Sequence, residues 1–395
     1  MKLLILLSRV PYPTEKGDKL RAFHQIRCLS EKHEIILCAL SEGPVDPEAV
    51  VRLKQYCSEL HIFPIHKTGM LWNVLKAFFS GKPIQTGYFY RCKVRRKIQA
   101  VAKSSCPDHV YCQLLRMAEY AVRLPLPRTI DYQDVFSMGM KRRLDTSSWW
   151  KKPFFRLEYK RLLRYENRIF EYFGHHSIIS VPDRDLIPHP LNKQIAVIPN
   201  GVDHAYFIPL DRPKKYDIVF TGNMGYPPNI DAALFLSEEI FPLVLKEIPS
   251  ARLLIAGATP HPRVRSLQSE RITVSGWVPD IRESYASSRI FIAPMRIGTG
   301  LQNKLLEAMA MGIPCVTSPL ANNALEAVPG TEILIGNTAE EFAGHMVSLL
   351  KNPERANDLA LSGTQFVRRK YDWHASTALL EQLFFDNAGT TSNTN

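Results

Sequence analysis

The chain predicts an α/β protein made of two doubly wound, Rossmann-like domains facing a cleft. Three observations carry that expectation. Short apolar runs alternate with longer amphipathic segments, the rhythm of a parallel sheet covered on both faces. The rhythm restarts after Val202. The 395 residues, 45% hydrophobic and 22% charged, suit two ordinary domains and exclude a disordered chain, a collagen-like fibre or a small disulfide scaffold.

In the first half, Leu3–Leu7, Glu34–Leu40, His61–Ile65, His109–Cys112, Arg128–Asp131, Ser177–Val181 and Ile195–Ile198 read as strands. Leu3–Leu7 is too short for a secretory core and no small-residue cleavage site follows, so it reads as a buried first strand. Lys19–Leu29, Val50–Leu60 and Arg156–Phe173 carry helical patterns. In the second half, Asp217–Thr221, Arg252–Ala256, Ile272–Ser275, Ile290–Ala293 and Cys315–Thr317 read as strands, with Asn229–Glu247 and Gln302–Met311 the clearest helices. The Pro-rich, charged stretch Ile208–Lys215 reads as a linker. The expected division is therefore a first domain over 1–207, a second domain over 208–370, a terminal helix over 371–386, and a disordered Gly/Thr/Ser/Asn-rich tail over 387–395. No run of eighteen apolar residues exists to span a membrane.

The net charge of +12 is uneven: residues 1–210 hold 33 basic and 19 acidic side chains, while 211–395 hold 17 and 19. The surplus suits a polyanion, an anionic membrane surface or a phosphorylated substrate, or simply solubility. The seven cysteines are odd in number and include no CxxC, which predicts reduced, buried thiols in a cytoplasmic protein.

The most informative stretch runs Ala293-Pro-Met-Arg-Ile-Gly-Thr-Gly-Leu-Gln-Asn-Lys-Leu-Leu-Glu307 and on to Gly312. A strand ends near Pro294, the glycine turn Gly298-Thr299-Gly300 follows, and a helix starts at Leu301 or Gln302 and stops at Gly312. Strand, glycine turn and helix N-terminus make an anion site, because free N–H groups and the helix dipole favour negative charge. Lys304 lies in the first turn, and Arg296 offers a fork for phosphate oxygens. Glu307, one turn on, suits two hydroxyls of a ribose. Lys304 and Glu307 read equally well as an ordinary surface ion pair.

This segment resembles the signature of the family 4 retaining glycosyltransferases, which have the GT-B fold. Val197-Ile-Pro-Asn-Gly-Val-Asp203 is similar to the phrase that closes the family's first domain. Phe220-Thr-Gly222-Asn223-Met-Gly225 resembles the first loop of its second domain. Gly276-Trp277-Val278-Pro-Asp280, with Tyr285 and Ala286, resembles the loop that touches the nucleobase, and the helix around Trp373 its terminal helix. The chain departs from the family where Thr299 replaces the first of two glutamates, and where the loop Asn223…Asn229 lacks the usual Arg and Lys. Gly-Thr-Gly-x-x-x-Lys-x-x-Glu and the opening Pro11–Arg21 resemble bacterial exopolysaccharide transferases of exosortase/PEP-CTERM clusters. The resemblance implies transfer of a sugar from a nucleotide diphosphate to a glycan or lipid-linked acceptor. Lys304 and Arg296 would stabilise the leaving diphosphate. Gly298, Thr299, Gly300, Leu301, Gln302, Glu307, Gly222, Asn223, Gly276, Trp277 and Val278 would hold the donor, with no cofactor and no metal.

On the first domain, Gly17, Asp18 and Lys19 follow the first strand and open a helix. Asp18 suits either the N-cap or the phosphate side. Lys19 and Arg21 suit a phosphorylated acceptor or plain solvation. Gln113 stands where many family members have a histidine, Asp134 suits an acceptor hydroxyl, and Asp131 reads as structural. Asp183-Arg-Asp185 imitates a metal-binding DxD but starts a helix, so no metal is assigned. Trp149, Trp150, Lys151, Lys152, Phe154 and Phe155 suit an anionic membrane surface at the inner face of the cell membrane, or packing on the domain core. A nucleotide-sugar epimerase of the same fold would need more carboxylates and histidines than the motifs supply. A nucleic-acid binder would need signatures that are absent.

Overall fold

The computed structural model describes residues 1–65, 81–298 and 300–385. Thr299 and the tail over 387–395, for which disorder was expected, lie outside the described residues. The chain divides into two compact units, Met1–Pro199 with the terminal segment from Trp373, and Asn200–Asp372.

The first unit holds a parallel sheet in the order β3-β2-β1-β4-β5-β6-β7. Its strands are β1 Lys2–Leu7, β2 Glu34–Ser41, β3 Glu59–Pro64, β4 His109–Gln113, β5 Arg128–Asp131, β6 His175–Ile178 and β7 Ala196–Val197. The second holds β10-β9-β8-β11-β12-β13, again all parallel: β8 Tyr216–Thr221, β9 Leu253–Ala256, β10 Ile272–Gly276, β11 Ser288–Ala293, β12 Cys315–Thr317 and β13 Leu334–Ile335. Each sheet is doubly wound, as the alternating pattern predicts. In each, the winding reverses beside the first strand, between β1 and β4 and between β8 and β11. Ligands of such sheets sit beyond the carboxyl ends of the strands at that reversal.

Several boundaries differ from expectation. The second unit begins at Asn200, because Val202 N–H bonds Tyr371 O at 2.9 Å and Phe207 packs on the second core. The expected Val50–Leu60 helix is Pro47–Lys54, capped by Asp46; Ser58 N–H already bonds Ile35 O in the sheet. The pattern over 229–247 is one helix broken by a wide turn at Leu236–Ile240. Pro242 lacks the N–H that would bond residue 238, and its ring pushes that carbonyl away. Strand β13, two residues long, escaped detection. Five cysteines are buried as expected, but Cys92 and Cys106 are exposed, and all seven are free.

The terminal helix Trp373–Phe385 belongs to the first unit. Trp373 stacks on His24 at 4.9 Å between ring centroids, Phe384 meets His109 and Tyr111, and Leu380 is buried with them. No helix among the described residues is long and apolar enough to cross a membrane.

A buried ion pair fixes the first unit. Arg21, fully enclosed, donates from Nε to Asp131 Oδ2 at 2.6 Å and from Nη1 to Ile198 O at 2.9 Å. Asp131 also accepts from Ser177 at 3.1 Å and from Tyr111 at 3.0 Å. The pair ties the Gly17–Leu29 helix to β5 and to the end of the β7 segment. It also corrects the sequence reading of Arg21: this charge reaches neither acceptor nor solvent. Asp131→Asn leaves a buried guanidinium without its counter-charge, so it should lower unfolding free energy by about 3–5 kcal/mol. Urea denaturation measures this, and a change below 1 kcal/mol would contradict the assigned role.

Candidate active site at the β8–β11 reversal

The second sheet reverses between β8 and β11, and the loops that follow those strands carry the predicted motifs. Gly222 follows β8 and Gly257 follows the adjacent β9. A Cβ on Gly257 would lie 1.8 Å from Gly222 O, and one on Gly222 would meet Asn229 Nδ2 at 2.8 Å and Lys304 Nζ at 3.3 Å. Glycine is required at both positions for these approaches, and both take positive φ.

After β11, Gly298 takes φ +104 and turns the chain into the Asn303–Ala310 helix. Gln302 occupies the N-cap but gives no side-chain bond to the first turn; its Nε2 donates to Gly300 O at 2.9 Å instead. Among the described residues, the opening N–H groups therefore have no side-chain acceptor, the condition of an anion site. The neighbouring helix Pro227–Phe235 offers less, since Pro227 and Pro228 carry no N–H.

Lys304 lies in this first turn. Its Nζ donates to Asn229 Oδ1, sits 4.8 Å from the Phe220 ring centroid and lies 3.9 Å from Met295 Sδ. The partner is a neutral amide, and Glu307 is the anion that acts on it. Loss of surrounding water pulls the pKa of this part-buried ammonium from 10.5 down to about 7. Glu307 is also part-buried, and burial raises its pKa, against the lowering effects of the Tyr285 hydroxyl and Lys304. Tyr285 donates to Glu307 Oε2 at 2.8 Å, which leaves Oε1 open. Lys304 and Glu307 are thus two charges held short of solvent beside a helix N-terminus, and no direct salt bridge joins them.

The other predicted residues are placed as follows. Arg296 does not point its fork at open space: it pairs with Asp231 through Nε at 3.1 Å and Nη2 at 2.9 Å, near Glu239 at 3.5 Å, over the Phe235 ring. Asn223 spends its Oδ1 on Gly225 N–H and the Thr259 hydroxyl. Leu301 packs against the core. Gly276 takes φ +70 at a register shift between β10 and β9, and its carbonyl accepts from Gly257. Trp277 stands 63% exposed, with Val278 beside it half-buried. Tyr285 is buried and bonded to Glu307, so it supports the carboxylate and presents no open face to a base.

Two residues with roles here were missed. Asn229, nearly buried, holds Lys304 and the carbonyl of Asn223. Asn200 donates to Asn303 Oδ1 at 3.0 Å and steadies the helix start. The Val197–Asp203 phrase contained Asn200, but only tertiary contact gives it a task.

In the first unit, Gly17 opens its helix with Lys16 at the N-cap, so Asp18 is not the cap; it pairs with Arg9 at 2.7 Å. Lys19 is half-buried, and burial and then Lys16 lower its pKa. Gln113 is buried, and its Nε2 donates to Gln25 Oε1 at 2.8 Å, so it is enclosed in the Arg21 network. Asp134 lies 4.0 Å from Arg142; enclosure and then Asp183 raise its pKa, moderated because over half of its side chain meets solvent. Asp183 accepts from Ser180, while Asp185 pairs with Lys193 and Arg184. No group of three or more His, Cys, Asp or Glu poised for a metal exists among the described residues.

Comparison with known proteins relates the chain to a family model and to solved structures. Residues 215–352 match the family "Glycosyl transferases group 1". The fold is GT-B. A Klebsiella pneumoniae protein described as "Uncharacterized 44.6 kDa protein in cps region" is 21% identical over 413 residues, covering 98% of this chain and all of that protein. Sucrose-phosphate synthase from Thermosynechococcus elongatus is similar in structure, with a TM-score of 0.70, 15% identity and coverage of 97% and 98%. Anabaena HepE, solved with UDP and glucose, has a TM-score of 0.66, 14% identity and coverage of 97% and 98%.

Gly257→Ala should destabilise the second unit by about 3 kcal/mol, since the added methyl meets a backbone carbonyl that has nowhere to go. The unfolding midpoint checks this; an unchanged midpoint would mean the Gly222 loop is not held where described.

Proposed function

We propose that the protein is a retaining, family 4-like glycosyltransferase. It moves a sugar from a nucleotide-diphosphate donor to a glycan or lipid-linked acceptor in cell-surface polysaccharide synthesis. The observation that carries this is the convergence of the Gly222 loop, the uncapped Asn303–Ala310 helix, Lys304 and the open oxygen of Glu307 at the sheet's reversal. The helix N–H groups and Lys304 take the diphosphate, and Glu307 takes ribose hydroxyls. UDP bound to HepE supports a nucleotide-sugar donor, and the cps location of the Klebsiella relative supports a capsule-like product.

In this reading the charge that develops on the leaving diphosphate meets a preorganised ammonium and helix dipole, with no metal ion required. The leaving phosphate accepts the proton of the incoming hydroxyl on the same face, so no strong base is needed. An epimerase would need further carboxylates and histidines. Among the described residues, the bonded network around Lys304 contains one carboxylate, Glu307, and no histidine.

Lys304 supplies the test. Its pKa near 7 means it is mostly uncharged at pH 8, and a bound diphosphate favours the charged form. UDP binding at pH 8 should therefore take up close to one proton, the uptake should shrink toward pH 6, and affinity should fall as pH rises above 7. Calorimetry in buffers of different ionisation enthalpy reads the proton directly. Lys304→Ala should abolish the uptake and lower turnover about a hundredfold, on the order of 3 kcal/mol. Proton-neutral binding at pH 8, or near-normal turnover of the variant, would sink the assignment.

The acceptor side is proposed to rest on an anionic bilayer surface. Trp149 and Trp150 are 82% and 63% exposed and Phe154 is 49% exposed, so they do not pack in the core; Phe155 is half-buried. The Lys152–Phe170 helix buries Leu162, Tyr165 and Ile169, and Lys152, Arg156, Lys160, Arg164 and Arg168 wind along its exposed side. Exposed indole rings beside such a row suit a headgroup interface better than a nucleic-acid backbone, which offers apolar rings little. Each basic residue near such a surface contributes about 1 kcal/mol. Anionic vesicles should bind at low salt and release as salt rises, and Lys151→Glu with Lys152→Glu should weaken binding without altering UDP affinity. No binding to anionic vesicles at low salt would refute this surface.

A further inference from the structure

The first sheet has its own reversal, between β1 and β4, and a cation with no direct counter-charge stands beside it. Arg116 lies in the short turn Leu115–Met117 that follows β4. Its guanidinium carbon sits 5.0 Å from the ring centroid of Phe89 and 5.0 Å from that of Phe136. Its Nε is buried without a hydrogen-bond partner, and among the described residues Arg116 makes no hydrogen bond or ion pair. Arg21, by contrast, has its charge met by Asp131 and Ile198 O.

Asp18, Glu42 and Asp134 act on Arg116 from a distance, and none of them forms an ion pair with it. Asp18 is paired to Arg9, after β1, at 2.7 Å, and Asp134, after β5, faces Arg142 at 4.0 Å. Burial, and then Arg9, pull the pKa of Arg116 down to about 10, so it stays charged at any physiological pH. The turn that carries it is held by Leu114, whose φ is +65. Two rings lie within cation–π distance of the guanidinium, and neither takes up its N–H donors. The terminal N–H groups of a guanidinium lie in one plane as a fork that matches the oxygens of a phosphate or a carboxylate.

We propose that Arg116 binds an oxyanion carried by the acceptor, at the carboxyl ends of β1, β4 and β5. The acceptor is then an anionic molecule: a phosphate-bearing lipid carrier or a glycan that ends in an acidic sugar. This rests on the glycosyl-transfer reading for the word acceptor, but the anion site stands on the first unit alone. Arg116 is a specificity-determining residue here, distinct from the diphosphate site of Lys304.

Two pairs of probes test it by calorimetry: farnesyl diphosphate against farnesol, and methyl glucuronide against methyl glucoside. The anionic member of one pair should bind wild type at least about tenfold more tightly than its neutral partner, the scale of a charge-assisted hydrogen bond. Whichever pair discriminates names the source of the oxyanion. The preference should vanish in Arg116→Gln and in Arg116→Met, which keeps an apolar filler between the rings, and should survive in Lys304→Ala. Arg116→Lys, which keeps charge but loses the fork, should retain only part of it. In unaltered protein, phenylglyoxal modification of Arg116, mapped by mass spectrometry, should slow in the presence of the preferred probe. The proposal is overturned if neither pair discriminates, if folded Arg116 variants keep the preference, or if the probe gives no protection. UDP binding by the same samples reports on the donor reading separately: its absence with the Arg116 preference intact would remove the transferase and leave the anion site.

Discussion

The second domain depends on the close approach of two backbones, Gly222 and Gly257, at the ends of neighbouring strands. Because neither glycine carries a Cβ, the loop after β8 lies flat enough for Asn229 and Lys304 to reach it. That approach puts an ammonium over Phe220 with a neutral amide as its partner, which separates it from water without supplying a full counter-charge. The pKa near 7 follows from this placement, and so does the capacity to respond to an incoming anion.

Parallel sheets concentrate such sites because every strand ends on the same side. Loops from adjacent strands then meet at one edge, and the reversal of winding opens a crevice between two of them. Both sheets of this chain show that reversal of winding, with different chemistry at the strand ends beside it. At β8–β11 the positive groups are backbone N–H donors and one partly desolvated lysine. At β1–β4 a network of buried hydrogen bonds fixes the scaffold through Arg21 and Asp131, while Arg116 stands beside two phenyl rings and has no hydrogen-bond partner among the described residues. The two arginines differ in sequence only by neighbours, yet one is a structural clamp and the other an open charge.

A good part of the candidate site was legible in the sequence. Gly298-Thr-Gly300 followed by Lys304 and Glu307 announces a strand, a glycine turn and a helix N-terminus, although Lys304 and Glu307 by themselves read equally well as a surface ion pair. Arg296 shows the limit: an arginine before such a loop suits a phosphate by spacing, but Asp231 and Glu239, more than fifty residues away in sequence, hold it in this structure. The tasks of Asn229 and Asn200 were invisible for the same reason, since a neutral amide has no pattern until its partner is beside it.

What the sequence by itself determined is the order and type of the elements, because apolar runs and helical spacing report burial that each segment must satisfy locally. It placed the long strands, the two domains and the glycine turn. What only the tertiary structure decided is which charges remain available. Arg21, read as a candidate for acceptor or solvent, is sealed against Asp131, and Arg116, which carried no motif, is left unpaired. Whether a cation is spent or open depends on counter-charges brought by distant strands, and desolvation acts only once those strands have closed around it.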